Sequence, residues 1–304
     1  MYKESFHYMG TKIKLLPQIY PYFPKNIHTF YDVFGGSGVV SMNLNADKYV
    51  INDLNDHVHN LYELFKTKTA DEIISYCHEM RDKWGFTTNV KDKPRIAELN
   101  KEPFDRCRKY MNDNPSALGF YFLTFYSFCN QFRFSGTGGG KKFNMPVGNG
   151  YFKRESEQRI RDMCGFFSKN EVVLSHRSYD ELDLSLFDRE RDFLYLDPPY
   201  SANANAVYNE KRDIEGWGEE QDRKFFAWCG ELNRKGYRFA MSNVFCNKGH
   251  EAEYLKEWCE ENTMVVHHLS MKYAGHSKRS VRERTNEVLI CNYGEADKDI
   301  FDLI

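Results

Sequence analysis

Asp197-Pro198-Pro199-Tyr200 directly follows Phe193-Leu194-Tyr195-Leu196, an apolar run that reads as a buried strand. Two prolines in a row neither continue a ladder nor open a helix cleanly, so the chain turns there with a stiff backbone. The Asp197 carboxylate accepts hydrogen bonds. The Pro198 carbonyl is a second acceptor, because the ring at 199 leaves no amide there to compete. The Tyr200 ring is a flat stacking surface. Two acceptors and a plate suit an exocyclic amino group on a planar base. The same four residues also fit a plain strand-end turn with a helix cap, so the rest of the chain must decide.

Positioning such a group calls for a sheet whose strand ends converge. Thr29-Phe30-Tyr31-Asp32-Val33-Phe34 reads as a strand and runs into Gly35-Gly36-Ser37-Gly38, followed by a helix-like 39–44. Strand, glycine turn and helix form the entry of a nucleotide-type site, where glycines permit a tight turn and close approach to the backbone. No Gly-Lys-Ser/Thr follows, so this is not a P-loop. A second strand, 49–51, ends in Asn52-Asp53, about 15 residues after the glycines. An acid there is placed to hold ribose hydroxyls; helix capping is the plainer role for Asp53 or Asn55.

The chain has 304 residues, 41% of them hydrophobic, enough for one large core or a core with an inserted smaller domain. No run of about 18 apolar residues appears, so no membrane span is expected. Eight scattered cysteines without a C-x-x-C pair read as reduced thiols of a cytoplasmic protein. No metal site is expected, since nothing falls at ligand spacing around His57 and His59 or His267 and His268. Net charge is −2, so no global basic field announces a polyanion. Local basic clusters stand at Lys141-Lys142, at Lys153-Arg154 with Arg159 and Arg161, and across 272–284, which contains Lys278; each also fits a solvated face.

From 57 to about 130 strand signals vanish. Val58, Leu61, Leu64 and Phe65 share one helical face; Ile73, Ile74 and Cys77 share another. Residues 118–128 read as a buried helix. Asn130 to Phe134 alternates, 135–142 is a glycine-rich turn, and 143–146 returns as the second arm of a hairpin. Such a tip between arms carrying Arg and Lys suits a DNA groove, though an ordinary surface hairpin has the same composition. Helical (155–167, 225–232, 254–259) and strand segments (172–174, 193–196, 237–241, 264–269, 287–291) then alternate. That pattern predicts an α/β fold with a mostly parallel sheet and helices on both faces. The polar stretch 201–218 reads as a loop that moves beside the site.

Phe34-Gly35-Gly36-Ser37-Gly38 matches an F-x-G-x-G motif and Asp197-Pro198-Pro199-Tyr200 a D-P-P-Y motif. With Tyr8-Met9-Gly10-Thr11-Lys12, Ile51-Asn52-Asp53-Leu54-Asn55, Phe143-Asn144-Met145-Pro146, Ser242-Asn243-Val244 and Thr285-Asn286-Glu287-Val288 in order, the chain resembles the Dam-type (D12 class, alpha group) DNA adenine-N6 methyltransferases, phage-encoded members most closely. The resemblance implies a Rossmann-like S-adenosylmethionine-dependent methyltransferase sheet over 1–56 and 149–304. It implies an inserted, mainly helical target-recognition domain with a β-hairpin over 57–148.

It further implies that Tyr8, Lys12, Asp32, Phe34, Gly36, Gly38, Asp53, Tyr179 and Asp197 serve S-adenosylmethionine, with S-adenosylhomocysteine as product. Asp197, Pro198 and Tyr200 would act on a flipped adenine. Phe128, Asn130, Arg133, Lys141, Lys142, Asn144 and Lys278 would meet double-stranded DNA: Phe128 as a wedge, Arg133 reading a guanine edge and the lysines on phosphates. The family usually has Asp where this chain has Ser178. GATC is the family's usual target, and a monomer or weak dimer is expected. Cytosine N4, RNA adenine or a silent DNA-binding regulator are the alternatives on the same fold.

Overall fold

The computed structural model describes residues 1–8, 10–88, 95–135, 142–200, 217–247, 250–270 and 286–294. Helix α1 (Leu16–Ile19) leads through a 3₁₀ turn to β1 (Ile27–Asp32), α2 (Val39–Asn43), β2 (Ala46–Asn52), α3 (Asp56–Thr67) and α4 (Ala70–Trp84). Then come α5 (Ile96–Leu99), α6 (Lys101–Asp113), α7 (Ala117–Thr124) and the short strands β3 (Phe134–Ser135) and β4 (Lys142–Phe143). The remainder is α8 (Arg154–Lys169), β5 (Glu171–Ser175), β6 (Phe193–Leu196), α9 (Glu219–Arg234), β7 (Phe239–Asn247), β8 (His250–Glu251), α10 (Glu253–Glu261), β9 (Val265–Leu269) and β10 (Asn286–Cys291).

Seven strands lie in the order β5-β2-β1-β6-β7-β10-β9, and β8 pairs with β7. All neighbours on the first part of this path are parallel; β10 runs antiparallel to both β7 and β9. Strand order therefore reverses between β1 and β6, which is where open α/β sheets bind ligands beyond the carboxyl ends of their strands. Asp32 stands opposite Tyr195 in that pair, so the glycine turn and Asp197-Pro198-Pro199-Tyr200 emerge side by side.

Each strand's alternation explains the layers. Phe193 and Tyr195 enter one apolar cluster with α1, α3, α4 and α8; Leu194 and Leu196 enter another with α9 and α10. The four residues of β6 are at most 1% exposed, as expected of a central parallel strand covered on both faces. Val58, Leu61, Leu64 and Phe65 of α3 share the first cluster with Phe30 and Ile51 of the sheet, so the helices after residue 57 lean on the sheet through apolar contact.

The helix expected over 118–128 stops at Thr124. Beyond it, the Ser127 hydroxyl and the Asn130 amide both donate to the Thr124 carbonyl, and Asn130 also donates to that of Phe125. Side chains thus take the carbonyls that a further helical turn would use. The hairpin arms are reduced to two residues each, and its tip, 136–141, with Lys141, lies outside the described residues. So do residues 201–216 and 271–285, with Lys278.

Candidate active site

The site is built from the ends of β1, β2, β6 and β10 and the N-terminal segment. After β1, the Gly35 N–H donates to the Asn52 carbonyl, 2.8 Å, which ties the turn to β2. A Cβ on Gly35 would come 2.7 Å from Ile51 and 2.8 Å from the Tyr62 hydroxyl, so only glycine fits. Gly36 and Gly38 have φ of 53° and 72°, the left-handed region that glycine adopts without steric cost. The Tyr8 ring lies 3.2 Å from where a Gly36 Cβ would stand, so that glycine opens a cradle beside the ring.

The two roles open for Asp53 and Asn55 separate cleanly. Asn55 caps α3, its side chain accepting from the N–H groups of His57 and Val58. Asp53 accepts from Gly36 N, 2.8 Å, and Asn55 N, 2.8 Å, so it clips the glycine turn to the end of β2. Beneath the turn, Asp32 is 1% exposed. Its Oδ2 accepts from the Ser41 hydroxyl, 2.6 Å, while its Oδ1 is buried without a partner.

Asp197 receives two donors on one oxygen. Lys12 Nζ lies 2.7 Å from Oδ1, and the Tyr200 hydroxyl donates to the same atom at 3.0 Å. The ammonium also sits 5.1 Å from the centre of the Tyr200 ring. Lys12 is 5% exposed. Pro198 is buried; Asp197, Pro199 and Tyr200 are partly open. Burial holds the Tyr200 phenol well above its ordinary value, so it remains a donor.

Glu287 completes the cluster, and sequence reasoning gave it no role. Tyr195 and Ser242 share a hydrogen bond of 2.7 Å across β6 and β7. Ser242 pairs with Leu289, so Glu287, two residues earlier on β10, points from the same face. Burial pushes Glu287 up to about 7, with the Lys12 ammonium opposing and the Asp197 charge adding to the rise. Burial likewise pushes Asp32 up to about 7 and Asp53 to about 6, against the hydrogen bonds each accepts. Asp197 is also raised by burial, with Lys12 opposing. Two desolvated carboxyl groups, Asp197 and Glu287, therefore meet the Lys12 ammonium, while Asp32 feels the charges of Asp197 and Asp53, and among the described residues Lys12 is the only buried Lys or Arg. Such a donor set favours a cationic ligand carrying hydroxyl groups.

An aromatic wall closes one side. Phe34 lies 6.0 Å from Tyr179 and 6.1 Å from Trp217; Tyr179 also packs against Phe225 and Trp228, each at 5.1 Å. Trp217, read from sequence as part of a polar loop, is anchored through its indole N–H to Asp222. Ser178 donates to the Asp180 carboxylate.

The remaining predicted residues stand apart, on the segment after α7. Phe128 is 56% exposed at the crest of a braced turn. Cys129 and Asn130 both take φ of 55°, and Phe128 N donates to the Pro146 carbonyl, 2.8 Å. A Cβ on Gly148 would stand 2.4 Å from the Ser127 carbonyl, so a glycine there lets the two strands of the turn meet. Arg133 is held by Asn144, with Nε on Oδ1 at 2.7 Å and Nη2 on the carbonyl at 3.2 Å. The flanking Phe134 ring stacks on His57, 3.4 Å apart, and Phe132 reaches the Tyr8 ring at 6.3 Å. Lys142 is exposed on β4.

Comparison with known proteins gives relatives that span nearly the whole chain. It is 33% identical over 294 residues to the modification methylase StsI of Streptococcus sanguinis and 31% identical over 293 residues to the type II methyltransferase M.FokI of Planomicrobium okeanokoites. Each match covers 96% of this chain and 43% of the relative, so the chain spans under half the length of these two. The DNA adenine methylase of Vibrio cholerae is 26% identical over 200 residues, 63% of each chain. The family model of the D12 class N6 adenine-specific DNA methyltransferases matches residues 8–274, and with the switch-point site above it the chain belongs to that family.

Proposed function

We propose that this chain transfers a methyl group from S-adenosylmethionine to N6 of an adenine flipped out of duplex DNA, leaving S-adenosylhomocysteine. The observation that carries the reading is the convergence of Lys12 and Tyr200 on Oδ1 of Asp197, at the sheet's switch point and ahead of two prolines. Both donors occupy Oδ1, which leaves Oδ2 and the Pro198 carbonyl as acceptors for an incoming amino group. When bound, S-adenosylmethionine supplies an electrophilic methyl on a sulfonium. Its positive charges and ribose hydroxyls suit the carboxyl excess around Lys12, with Asp53 on the hydroxyls, Tyr8, Gly36 and Gly38 along the cradle, and Phe34 and Tyr179 on the aromatic side.

Adenine's amino lone pair is delocalised into the ring, so the nitrogen is a poor nucleophile. Hydrogen bonds from it to Asp197 and Pro198 favour a tetrahedral nitrogen with its lone pair free. The carboxylate then offsets the positive charge that grows there. The stiff Pro198-Pro199 backbone holds both acceptors in place, which is where positioning contributes most of the rate.

Residues 57–148 serve as the target-recognition part, with Phe128 as wedge, Asn130 bracing it, Arg133 with Asn144 at a base edge, and Lys141, Lys142 and Lys278 on phosphates. The names of the relatives support a DNA modification enzyme, its place of action being the cytoplasm in this reading, and GATC is the first site to test. The experiment is methyl transfer from labelled cofactor to duplex DNA, with the product nucleosides identified. N6-methyladenine is the expected product. N4-methylcytosine or label in RNA would redirect the reading to another amino group, and cofactor binding without transfer to any nucleic acid would overturn it.

A further inference from the structure

The basic cluster at 153–161 is used by nothing above. It borders a cleft of about 340 Å³ between the wedge turn, the N-terminal segment before Tyr8 and the start of α8. Three observations there point to one kind of ligand. First, Ser156 is 8% exposed and lines the cleft, yet its hydroxyl makes no hydrogen bond among the described residues. That hydroxyl is open to the cleft and can donate to a ligand there. Second, α8 is a 16-residue helix whose N-cap, Lys153, provides no side-chain cap; the Ser156 N–H bonds back to the Lys153 carbonyl, those of Arg154 and Glu155 are left for an anion, and of the two acids in that turn Glu157 is taken by His78. Third, Lys153 and Arg159 line the cleft, Arg159 three residues from Ser156 on one face of α8 and Lys153 at its N-cap. Neither forms an ion pair with a carboxylate among the described residues, whereas the neighbouring Arg161 is bound to Asp71. Among the described residues Glu4 is the only acid lining the cleft.

We propose that this cleft is an oxyanion site that holds one backbone phosphodiester of the DNA duplex, with Ser156, Lys153 and Arg159 as its donors. The proposal rests on the DNA-methyltransferase reading. It adds a fixed anchor beside Phe128, because Cys129 and Asn130 of the wedge turn also line the cleft. A phosphate seated there fixes how far the strand sits from the wedge. The contact carries no sequence information, as expected of a backbone contact.

The test uses Ser156→Ala and Arg159→Gln in the full chain. Alanine is a strong helix former, so Ser156→Ala keeps α8. Equilibrium DNA binding is measured across a salt series on target and non-target duplexes. The expected result for each variant is roughly tenfold weaker binding on both duplexes, with Arg159→Gln lowering the salt slope by about one. Duplexes with a single neutral methylphosphonate, scanned along each strand, should include one position that weakens wild-type binding and leaves Ser156→Ala unaffected. Wild-type affinity and slope in both variants would overturn the proposal. So would inorganic phosphate raising the melting temperature of wild type but not of Ser156→Ala, with DNA binding unchanged, since the site would then take a free anion. Failure of the methyl-transfer reading shows itself separately, as wild-type protein that binds DNA with no methylated product.

Discussion

Replacing Lys12 by methionine removes the one ammonium from the buried carboxyl cluster while keeping most of the side chain's volume. Lys12 lies 2.7 Å from Asp197 and opposes the burial-driven rise of both Asp197 and Glu287. Removing one partner of a buried pair costs roughly 3–5 kcal/mol. The Asp197 side chain is 18% exposed, which puts the expectation at the lower end of that range, about 3 kcal/mol at pH 8. The loss must depend on pH. A carboxyl raised by the fold favours its protonated form, so its contribution is fully present below the unfolded value and disappears as pH rises through the folded one. Glu287 titrates at about 7, so at pH 5 it keeps its proton with or without Lys12. A neutral Glu287 needs no counter-ion, so the loss at pH 5 should be smaller than at pH 8, the part due to Asp197 remaining. Urea unfolding of both proteins at pH 5, 6.5 and 8, with the midpoint compared at constant slope, reads this directly. A loss of equal size at every pH, or one that grows on acidification, would refute the assignment of Lys12 as the cluster's counter-ion.

Asp197→Asn removes the charge and keeps the shape; methyl transfer should fall by at least 10²–10³-fold with DNA binding largely kept, as read by single-turnover kinetics and a binding assay. Because Asp53 titrates at about 6 and Glu287 at about 7, cofactor affinity should rise between pH 5 and pH 8 with proton release on binding; calorimetry in buffers of different ionisation enthalpy measures both, and flat affinity across this window would count against a cationic ligand at these carboxyls. Arg133→Ala should cost roughly 1–3 kcal/mol at one base pair and relax preference there; an unchanged methylation profile across a randomised target would place the reader elsewhere.

The chemistry-bearing parts of the site were readable because they are local. Gly35 to Gly38 and Asp197 to Tyr200 each declare a turn at a strand end through residues within five positions, and each turn is found at such an end. Glu287 could not be given a role in the same way. It lies 275 residues from Lys12 in the chain by their numbers, and only the sheet order, with β10 between β7 and β9, brings it to that face. The available signal was an acid opening the otherwise apolar run Val288 to Cys291. The end of α7 was misjudged for a related reason: residues 118–128 are apolar enough to continue a helix. What stops them is a set of side-chain bonds from Ser127 and Asn130, joined by backbone contacts from Pro146 and Gly148 about twenty residues on. Trp217 was lost in a polar stretch whose composition outweighed one indole.

The position of β10 also governs how this molecule comes together. It is the last described strand in sequence, yet it occupies an interior slot, with Glu287 opposite Val244 on one side and Leu269 on the other. Until it enters, β7 and β9 each present an open edge, a state prone to pairing with the wrong chain. The glycine turn and Asp-Pro-Pro-Tyr can form earlier, from strands that are already neighbours. The acid opposite Lys12 cannot. Placement of β10 between β7 and β9 is therefore what brings a second carboxyl, Glu287, to an ammonium that Asp197 already pairs.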